Sequence, residues 1–507
     1  MKRQTFLIFL AAFFASMTVN AQKDAAPLAK INLNQADSRT DTDKYLDAMH
    51  RNITSEKLFG YVKQLCDPAL EGRLAGSAGM AKAVSIVEGY FRQWNLTPAG
   101  NNGSYIQEFP QPHVEIHEGS TMEILLPSKG TKGKIWTPKT YPWSDGWYAG
   151  NNTDNGDITA DVVYAGFGVT APELGYDDYK GINVKGKIVL IEGETPNHSN
   201  KPDSIKMWYK HSLHVNKMNN AVKNGAIGLL YKWVPGPGSP YTKGLVYCNV
   251  TDTVVNDIFN GTGRTYAQTV KKIRETFKPC SFNTGKRAHI KMDATYFPSS
   301  IGKNIFGMIK GSDPKLADEY IIISAHLDHL GLIPYLIPGA NDNNSSTSVL
   351  LGVAEAMAKS SIRPKRNIVF MSVDGEESGL TGSTYYINHP LFPKDKVKAI
   401  LNLEMVGTGE VMYTNYNYNY PEFGELLKKA NDTYVHRRLL VEEDHFLTRP
   451  RSDGTNFMKA GYPCADFRCA GGGYYHSPKD SPDTINPELL QSEAEWMYWS
   501  ALYFANK

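Results

Sequence analysis

Three largely apolar runs in the C-terminal part of the 507-residue chain constrain its fold more than any other feature. They cover residues 320–325, 367–373 and 399–403. Runs of this length without strict alternation of polar residues are typical of strands that are buried on both faces of a sheet. Between the first two runs, the apolar residues of 346–359 recur at helical spacing. Strand–helix–strand order predicts an α/β fold with a mostly parallel central sheet flanked by helices.

The ends of these predicted strands are rich in imidazoles and carboxylates, as are two nearby loops. In open α/β sheets, ligands bind beyond the carboxyl ends of the strands. So many acids at one edge would repel one another unless cations lie among them, and mixed imidazole and carboxylate ligation suits zinc. The residues concerned are His326, Asp328, Asp342, Glu376, Glu377, Glu404 and, close to the C-terminus, His476.

The motifs that hold these residues occur in a fixed order along the chain. They are Ala325-His-Leu-Asp-His, Gly339-Ala-Asn-Asp-Asn, Gly375-Glu-Glu-Ser-Gly-Leu-Thr-Gly-Ser, Asn402-Leu-Glu-Met-Val-Gly and Tyr475-His-Ser-Pro-Lys-Asp, accompanied by Leu70-Glu-Gly-Arg-Leu-Ala-Gly-Ser and Ser452-Asp-Gly-Thr-Asn-Phe. Together they resemble the M28 family of di-zinc exopeptidases. The resemblance covers about residues 53–507 and implies the zinc exopeptidase fold.

The resemblance also implies a ligand set for two zinc ions per chain. Asp342 would bridge the two ions. His326 and Glu404 would complete one metal position, and Glu377 and His476 would complete the other. A zinc pair of this kind activates water and polarises the carbonyl that is attacked.

Two further residues take roles by the same resemblance, and a third takes its role from its position directly before His476. Asp328 would hydrogen-bond the imidazole of His326 and fix its tautomer, and Glu376 would act as general base. Tyr475 would donate its phenol to the tetrahedral oxyanion; the alternative is a buried core tyrosine, and Tyr474 competes for the role. The peptide bond between Asp342 and its neighbour Asn343 is expected to be cis.

Two positions depart from the family pattern. Glu404 stands where an aspartate is more usual, and Gly454 stands where a histidine is common. Arg449, Arg451 and the tyrosines at 413–420 are candidates for shaping a specificity pocket. The alternative for these last residues is a solvated loop and an exposed hairpin.

Residues 151–289 have a character of their own. Strand-like runs at 161–169 and 186–192 are bounded by glycine, and a predicted helix ends at Gly225, where glycine suits the left-handed C-terminal position. The segment resembles the β-rich protease-associated (PA) domain, and a generic α/β insertion is the alternative. The peptidase domain would then be split into residues 53–150 and 290–507.

The N-terminus predicts an exported protein. Residues 1–21 combine Lys2 and Arg3 with an apolar run over 6–17 and small residues at a cleavage site, which is the pattern of a signal peptide. The run is too short for a membrane span. Residues 22–52 are polar without strong periodicity and predict a linker or N-terminal arm. A periplasmic or secreted location follows.

Charge excludes one class of partner. Without residues 1–21 the chain would hold 54 − 2 = 52 basic residues against 52 acidic ones. A net-neutral chain gives no footing for a nucleic-acid partner. The family resemblance implies peptides as the substrates. Five scattered cysteines do not predict a disulfide framework, and the oligomeric state stays open.

The leading functional prediction is a secreted di-zinc aminopeptidase. A carboxypeptidase or dipeptidase of the same fold and a glutaminyl cyclase are alternatives within the same class. A binding protein that has kept the fold and lost the metals is the alternative from another class. The complete set of predicted ligands argues against this last possibility.

Overall fold

The computed structural model describes residues 39–130, 133–197, 202–236, 241–445, 451–471 and 473–507. Asp41–Lys507 forms one compact unit. The predicted signal peptide at 1–21 and most of the predicted arm at 22–52 lie outside the described residues.

A mixed central sheet of nine strands organises the peptidase part of the described chain, which confirms the predicted α/β class. Its middle is parallel: the strand Tyr320–His326 lies between Asn367–Val373 and Val397–Leu403, and Cys464–Ala470 follows. The remaining strands extend the sheet on both sides; they are Thr97–Pro98, Ile106–Pro110, Ile301–Ile309, Val411–Asn417 and Leu439–Asp444.

Both faces of this sheet are covered, as the apolar runs predict. Successive side chains of a strand point to opposite faces. Ile368 and Phe370 accordingly belong to one core cluster, and Val369 and Met371 belong to the cluster on the other face. The helices of the described chain are Asp41–Asn52, Ser55–Leu65, Ala78–Gln93, Pro202–Ser212, His214–Lys223, Asp252–Phe259, Tyr266–Thr276, Ser346–Ala358, Thr381–Asn388, Glu422–Ala430, Asp453–Lys459 and Pro487–Asn506.

A second sheet of eight described strands has its own core. It starts at Thr121 and ends at Met292, so three of its strands precede residue 151, where the sequence predicted the insert to begin. Strand Thr121–Gly130 joins this sheet because it pairs with Phe282–Met292, far along the chain. The strands are Thr121–Gly130, Gly133–Thr140, Trp147–Ala149, Gly156–Tyr164, Ile188–Glu192, Gly228–Lys232, Val246–Val250 and Phe282–Met292.

Part of the predicted N-terminal arm is helical. Residues Asp41–Asn52 form a helix that buries Tyr45, Ala48 and Met49. This helix packs against Ser346–Ala358, and the ring of Tyr45 contacts two aromatic rings of the helix Pro487–Asn506. The spacing of these three apolar residues is that of one helix face. The interpretation of the whole segment as a linker is therefore wrong for its last twelve residues.

All five cysteines are free thiols. Cys464 and Cys469 lie on the same strand, Cys464–Ala470, and an extended strand separates positions five residues apart by about 17 Å. Among the described residues, every helix is too short or too polar to span a bilayer.

Candidate metal centre

The parallel register brings the predicted site residues to one edge of the central sheet. His326 is the last residue of its strand and lies opposite Val373, the last residue of the neighbouring strand. On the other side, Ala325 pairs with Leu403, so Glu404 follows one step further. Neighbouring parallel strands therefore end together, and the side chains that follow them meet.

One cluster forms around His326. Its Nε2 atom lies 3.3 Å from Oδ1 of Asp342 and 3.4 Å from Oε1 of Glu404. All three side chains are buried. These are the three residues that the sequence predicts for one metal position, and the structure brings them together.

A second cluster shares Asp342. Nε2 of His476 lies 3.2 Å from the other oxygen, Oδ2, of Asp342 and 3.1 Å from Oε2 of Glu377. Asp342 therefore faces His326 with one carboxylate oxygen and His476 with the other. This is the geometry that a bridging carboxylate requires.

The donor atoms fit metal ions. His326 Nε2, His476 Nε2, Asp342 Oδ1 and Glu404 Oε2 are buried and have no hydrogen-bond partner in the part of the chain that the structure describes. Unpaired polar atoms are costly in a protein interior, and a cation bound within the two clusters would give these atoms a partner. Neutral imidazole and carboxylate oxygen are the ligands that zinc takes at catalytic sites.

The carboxylates at this edge influence one another strongly. Burial raises the pKa of Glu404, and burial raises that of Glu376 well above its usual range, with Glu404 adding to the rise although His326 opposes it. Burial also acts to raise the pKa of Glu377, but the imidazoles of His476 and His329 together outweigh it and hold that pKa at about 2. Positive charge among these acids would favour their ionised forms.

Asp328 is placed differently from its predicted role. Nδ1 of His326 lies 3.1 Å from the main-chain oxygen of Asp328 and 3.7 Å from its Oδ1. The Asp328 carboxylate instead accepts the main-chain N–H groups of Glu376 and Glu377, each over 3.1 Å. The imidazole is oriented by a carbonyl, and the carboxylate positions the two glutamates.

His329 is a residue that the sequence reasoning missed. Its Nδ1 atom lies 2.8 Å from Oε1 of Glu377, and its buried ring meets that of His476 edge to face. His329, Asp342 and Glu377 also place one ligand atom each within 4.8 Å of one another. The signal was available, because His329 ends the same His-Leu-Asp-His run that starts at His326.

Hydrogen bonds from its main chain and from one of its side chains fix the loop that carries Asp342. Asp480 accepts the N–H groups of Asn341 and Asp342 over 2.8 and 3.1 Å, and the side chain of Asn343 donates to the main-chain oxygen of Leu403. The Asp342–Asn343 peptide bond is cis, as predicted.

Arg73, from the motif at residues 70–77, stabilises the loops that carry the site residues. Its buried guanidinium donates to the carbonyl oxygens of Leu65, Leu327, Pro338 and Gly339 over 2.7 to 3.2 Å. It thereby joins the loop that follows the strand Tyr320–His326 to the loop that precedes Asp342. This gives the motif a structural role.

We expect Arg73→Met to lower the free energy of unfolding by about 3 kcal/mol or more, because it leaves several buried carbonyls without a donor. Chemical unfolding followed by tryptophan fluorescence measures the change. Arg92→Met is the matched control: Arg92 pairs with Glu88 on the surface of a helix, and such pairs contribute about 0.5 kcal/mol. Equal losses in the two variants would contradict the role given to Arg73.

Two of the residues predicted to shape a specificity pocket line a cavity. Tyr413 and Arg451 line a cavity of about 390 Å³ together with Asn415, Asp466 and Arg468. The cavity lies beside the cluster around His326, since the carbonyl oxygen of Phe467, next to Arg468, accepts the N–H of Glu404. Arg449 lies outside the described residues, and the pocket itself stays a prediction.

The surroundings of Gly454 and Tyr475 bear on what the sequence predicted for these two positions. A Cβ atom on Gly454 would lie 2.6 Å from Oδ1 of Asp466, so the structure leaves no room for a side chain there. Tyr475 stacks on the ring of His476 and is 48% exposed, which rules out a buried core tyrosine. Its role as an oxyanion donor stays a prediction.

Comparison with known proteins agrees with this picture. The chain is 32% identical over 235 residues to aminopeptidase YwaD of Bacillus subtilis (strain 168), covering 44% of this chain and 48% of that protein. It is 25% identical over 356 residues to a glutamate carboxypeptidase 2 homolog of Caenorhabditis elegans, covering 55% of this chain and 41% of that protein. The chain thus spans about half the length of these curated relatives.

A solved structure shows the same fold. The structure titled BSAP, a zinc aminopeptidase from Bacillus subtilis, superposes with a TM-score of 0.59 at 21% sequence identity, covering 90% of this chain and 96% of that chain. The α/β fold and the paired ligand clusters define a domain of the metallopeptidase class. Residues 304–499 match the model of Peptidase family M28, and this part of the chain is a domain of that family.

Proposed function

We propose that this chain is an exported di-zinc aminopeptidase that removes residues from the N-termini of peptides. One observation carries the proposal: the two oxygens of Asp342 face two separate imidazole and carboxylate pairs, one formed by His326 and Glu404 and the other by His476 and Glu377. A shared carboxylate between two open ligand sets is the arrangement of a two-metal hydrolytic site.

The residues of the chain divide the chemistry between them. A bound zinc pair would lower the pKa of water and polarise the scissile carbonyl. Glu376 comes after the strand Asn367–Val373, directly before the ligand Glu377, and belongs to neither ligand cluster. Its carboxylate is therefore the group that would take the proton of the attacking water. It then returns that proton to the leaving amine.

Tyr475 would complete the site. Its ring lies against the ligand His476 and is open to solvent on the other side. A phenol at this position can donate a hydrogen bond to the oxyanion that develops at the attacked carbonyl. Asp328 contributes indirectly, because it holds the main chain of Glu376 and Glu377.

A mixed peptide library tests the proposal. The zinc-loaded protein is incubated with the library, and the products are sequenced. Shortening from the N-terminus supports an aminopeptidase, whereas shortening from the C-terminus supports a carboxypeptidase, which similarity to a glutamate carboxypeptidase 2 homolog makes the second candidate. Absence of turnover together with absence of bound zinc would indicate a non-catalytic binding protein.

We expect peptides with a free α-amine to be cleaved at least ten times faster than N-acetylated peptides of the same sequence. The site is crowded with carboxylates, which favour an ammonium group over a neutral amide. Initial rates for the two peptides at equal concentration give the ratio. Equal rates would contradict N-terminal recognition.

The second sheet region has a proposed identity of its own. We assign it to a PA-like domain, on the strength of its glycine-bounded strands and the helix His214–Lys223 before strand Gly228–Lys232.

Mass spectrometry of the N-terminus of the protein recovered from its native host tests the proposed export, which requires a chain that begins at or near residue 22.

A further inference from the structure

One connection of the second sheet reaches the second ligand cluster. After strand Gly228–Lys232 the chain passes through Pro235, whose carbonyl oxygen lies 2.5 Å from Nδ1 of His476. The contact is buried. A connection between strands of the second sheet therefore touches a predicted metal ligand directly.

This contact determines which nitrogen of His476 can bind a metal. A carbonyl oxygen only accepts hydrogen bonds, so Nδ1 of His476 must carry the hydrogen. Nε2 then holds the lone pair, and it is Nε2 that faces Asp342 and Glu377. A hydrogen bond to the non-ligating nitrogen is the usual way in which a ligand imidazole is fixed.

The neighbouring Gly236 shapes the place where the imidazole lies. A Cβ atom at this position would come within 2.4 Å of Nδ1 of His476. The backbone of Gly236 also has φ +117, which side chains rarely adopt. His476 itself has φ +53, a conformation that costs a non-glycine residue about 1 kcal/mol or more unless its surroundings hold it.

The connection is held in place from the second sheet. Asn249, on strand Val246–Val250, donates to the carbonyl oxygens of Trp233 and Val234. Asn151 accepts the N–H of Gly236 over 3.0 Å and donates to the carbonyl oxygen of Leu330. Asn151 thus joins this connection to the loop that follows the His326 strand.

We propose that residues 233–236 are a positioning element for His476, so that the second sheet region is required for tight binding of the second metal ion. The proposal rests on the proposed function, since it takes the second cluster to be a metal position. It gives the second sheet region a task at the site: it holds a ligand of the peptidase domain in the tautomer and place that ligation needs.

The test compares two glycine substitutions in the same connection. Gly236→Ala would push the imidazole of His476 away, whereas Gly244→Ala has a similar positive φ of +83 but open space around the new methyl group. Zinc content and zinc affinity are measured by competition with a chelator. We expect Gly236→Ala to bind its second zinc about 10–100-fold more weakly and Gly244→Ala to match the wild type.

A spectroscopic readout separates positioning from a general structural effect. In the cobalt-loaded protein, the Nδ1 proton of a ligand imidazole gives a paramagnetically shifted resonance that exchanges with solvent. The buried bond to Pro235 should make this exchange slow in the wild type and in Gly244→Ala. We expect the resonance to exchange rapidly or to vanish in Gly236→Ala.

The outcomes distinguish this proposal from the proposed function. A wild-type protein that binds no zinc would overturn both. A wild type with two zinc ions and a folded Gly236→Ala variant of unchanged affinity would overturn the positioning role alone. If Gly236→Ala does not fold, Asn151→Ala decides, because it removes the acceptor of the Gly236 N–H without adding volume; unchanged zinc affinity in that variant would overturn the positioning role.

Discussion

Glu376→Gln is expected to lower kcat by about 10²–10⁴-fold, or roughly 3–5 kcal/mol of barrier, while both zinc ions stay bound. Glutamine keeps the size of glutamate, but its amide cannot take a proton from water at neutral pH. Glu376 belongs to neither ligand cluster, so its loss should leave the metal positions intact. Zinc content and kcat, measured on the same preparation, give both results.

Glu377→Gln is the matched control, with the same change at the adjacent residue. Glu377 contacts His476 and His329 through its two carboxylate oxygens, so this variant should lose zinc as well as rate. A Glu376→Gln variant that keeps more than about half of the wild-type rate would show that the base lies elsewhere. Loss of zinc from that variant would make Glu376 a ligand instead.

The strands of the central sheet could be predicted because burial on both faces leaves a direct mark on the sequence. The runs at 320–325, 367–373 and 399–403 are strands, and the helix between the first two is Ser346–Ala358. The helix Asp41–Asn52 escaped prediction because only one face of it is buried. Three apolar residues in a polar segment are a weak periodic signal.

The edge of the second sheet could not be placed from the sequence. Strand Thr121–Gly130 pairs with Phe282–Met292, more than 150 residues away, and a local pattern shows that a segment is extended without showing which sheet it joins. The predicted boundary at residue 151 therefore followed a change in composition. The structure places three strands of the same sheet before it.

Side-chain types predicted which residues would meet at the site, but not their hydrogen bonds. His326, Asp342, Glu377, Glu404 and His476 come together because parallel strands end at one edge. The partner of the His326 Nδ1 atom is a main-chain oxygen, and every residue carries such an oxygen, so no sequence pattern identifies it. The contact between Pro235 and His476 is hidden for the same reason.

Asp342→Asn is expected to weaken both zinc positions, each by more than about 100-fold. Loss of a residue that only supports a ligand typically costs 10–100-fold in metal affinity, and Asp342 faces both clusters with its own oxygens. Asparagine keeps one oxygen but places an amide against the other cluster, and it removes the negative charge that the two cations would share. Chelator competition measures both affinities, and kcat should fall to the background of the assay.

The matched control is Asp453→Asn, the same substitution in another fully buried aspartate. Asp453 lies outside both ligand clusters. We expect this variant to keep two zinc ions per chain. If Asp342→Asn loses only one zinc ion, Asp342 is a ligand at a single position and its assignment as a bridging ligand is wrong. If Asp453→Asn also loses zinc, the metal positions depend on the total negative charge of this edge rather than on direct ligation by Asp342.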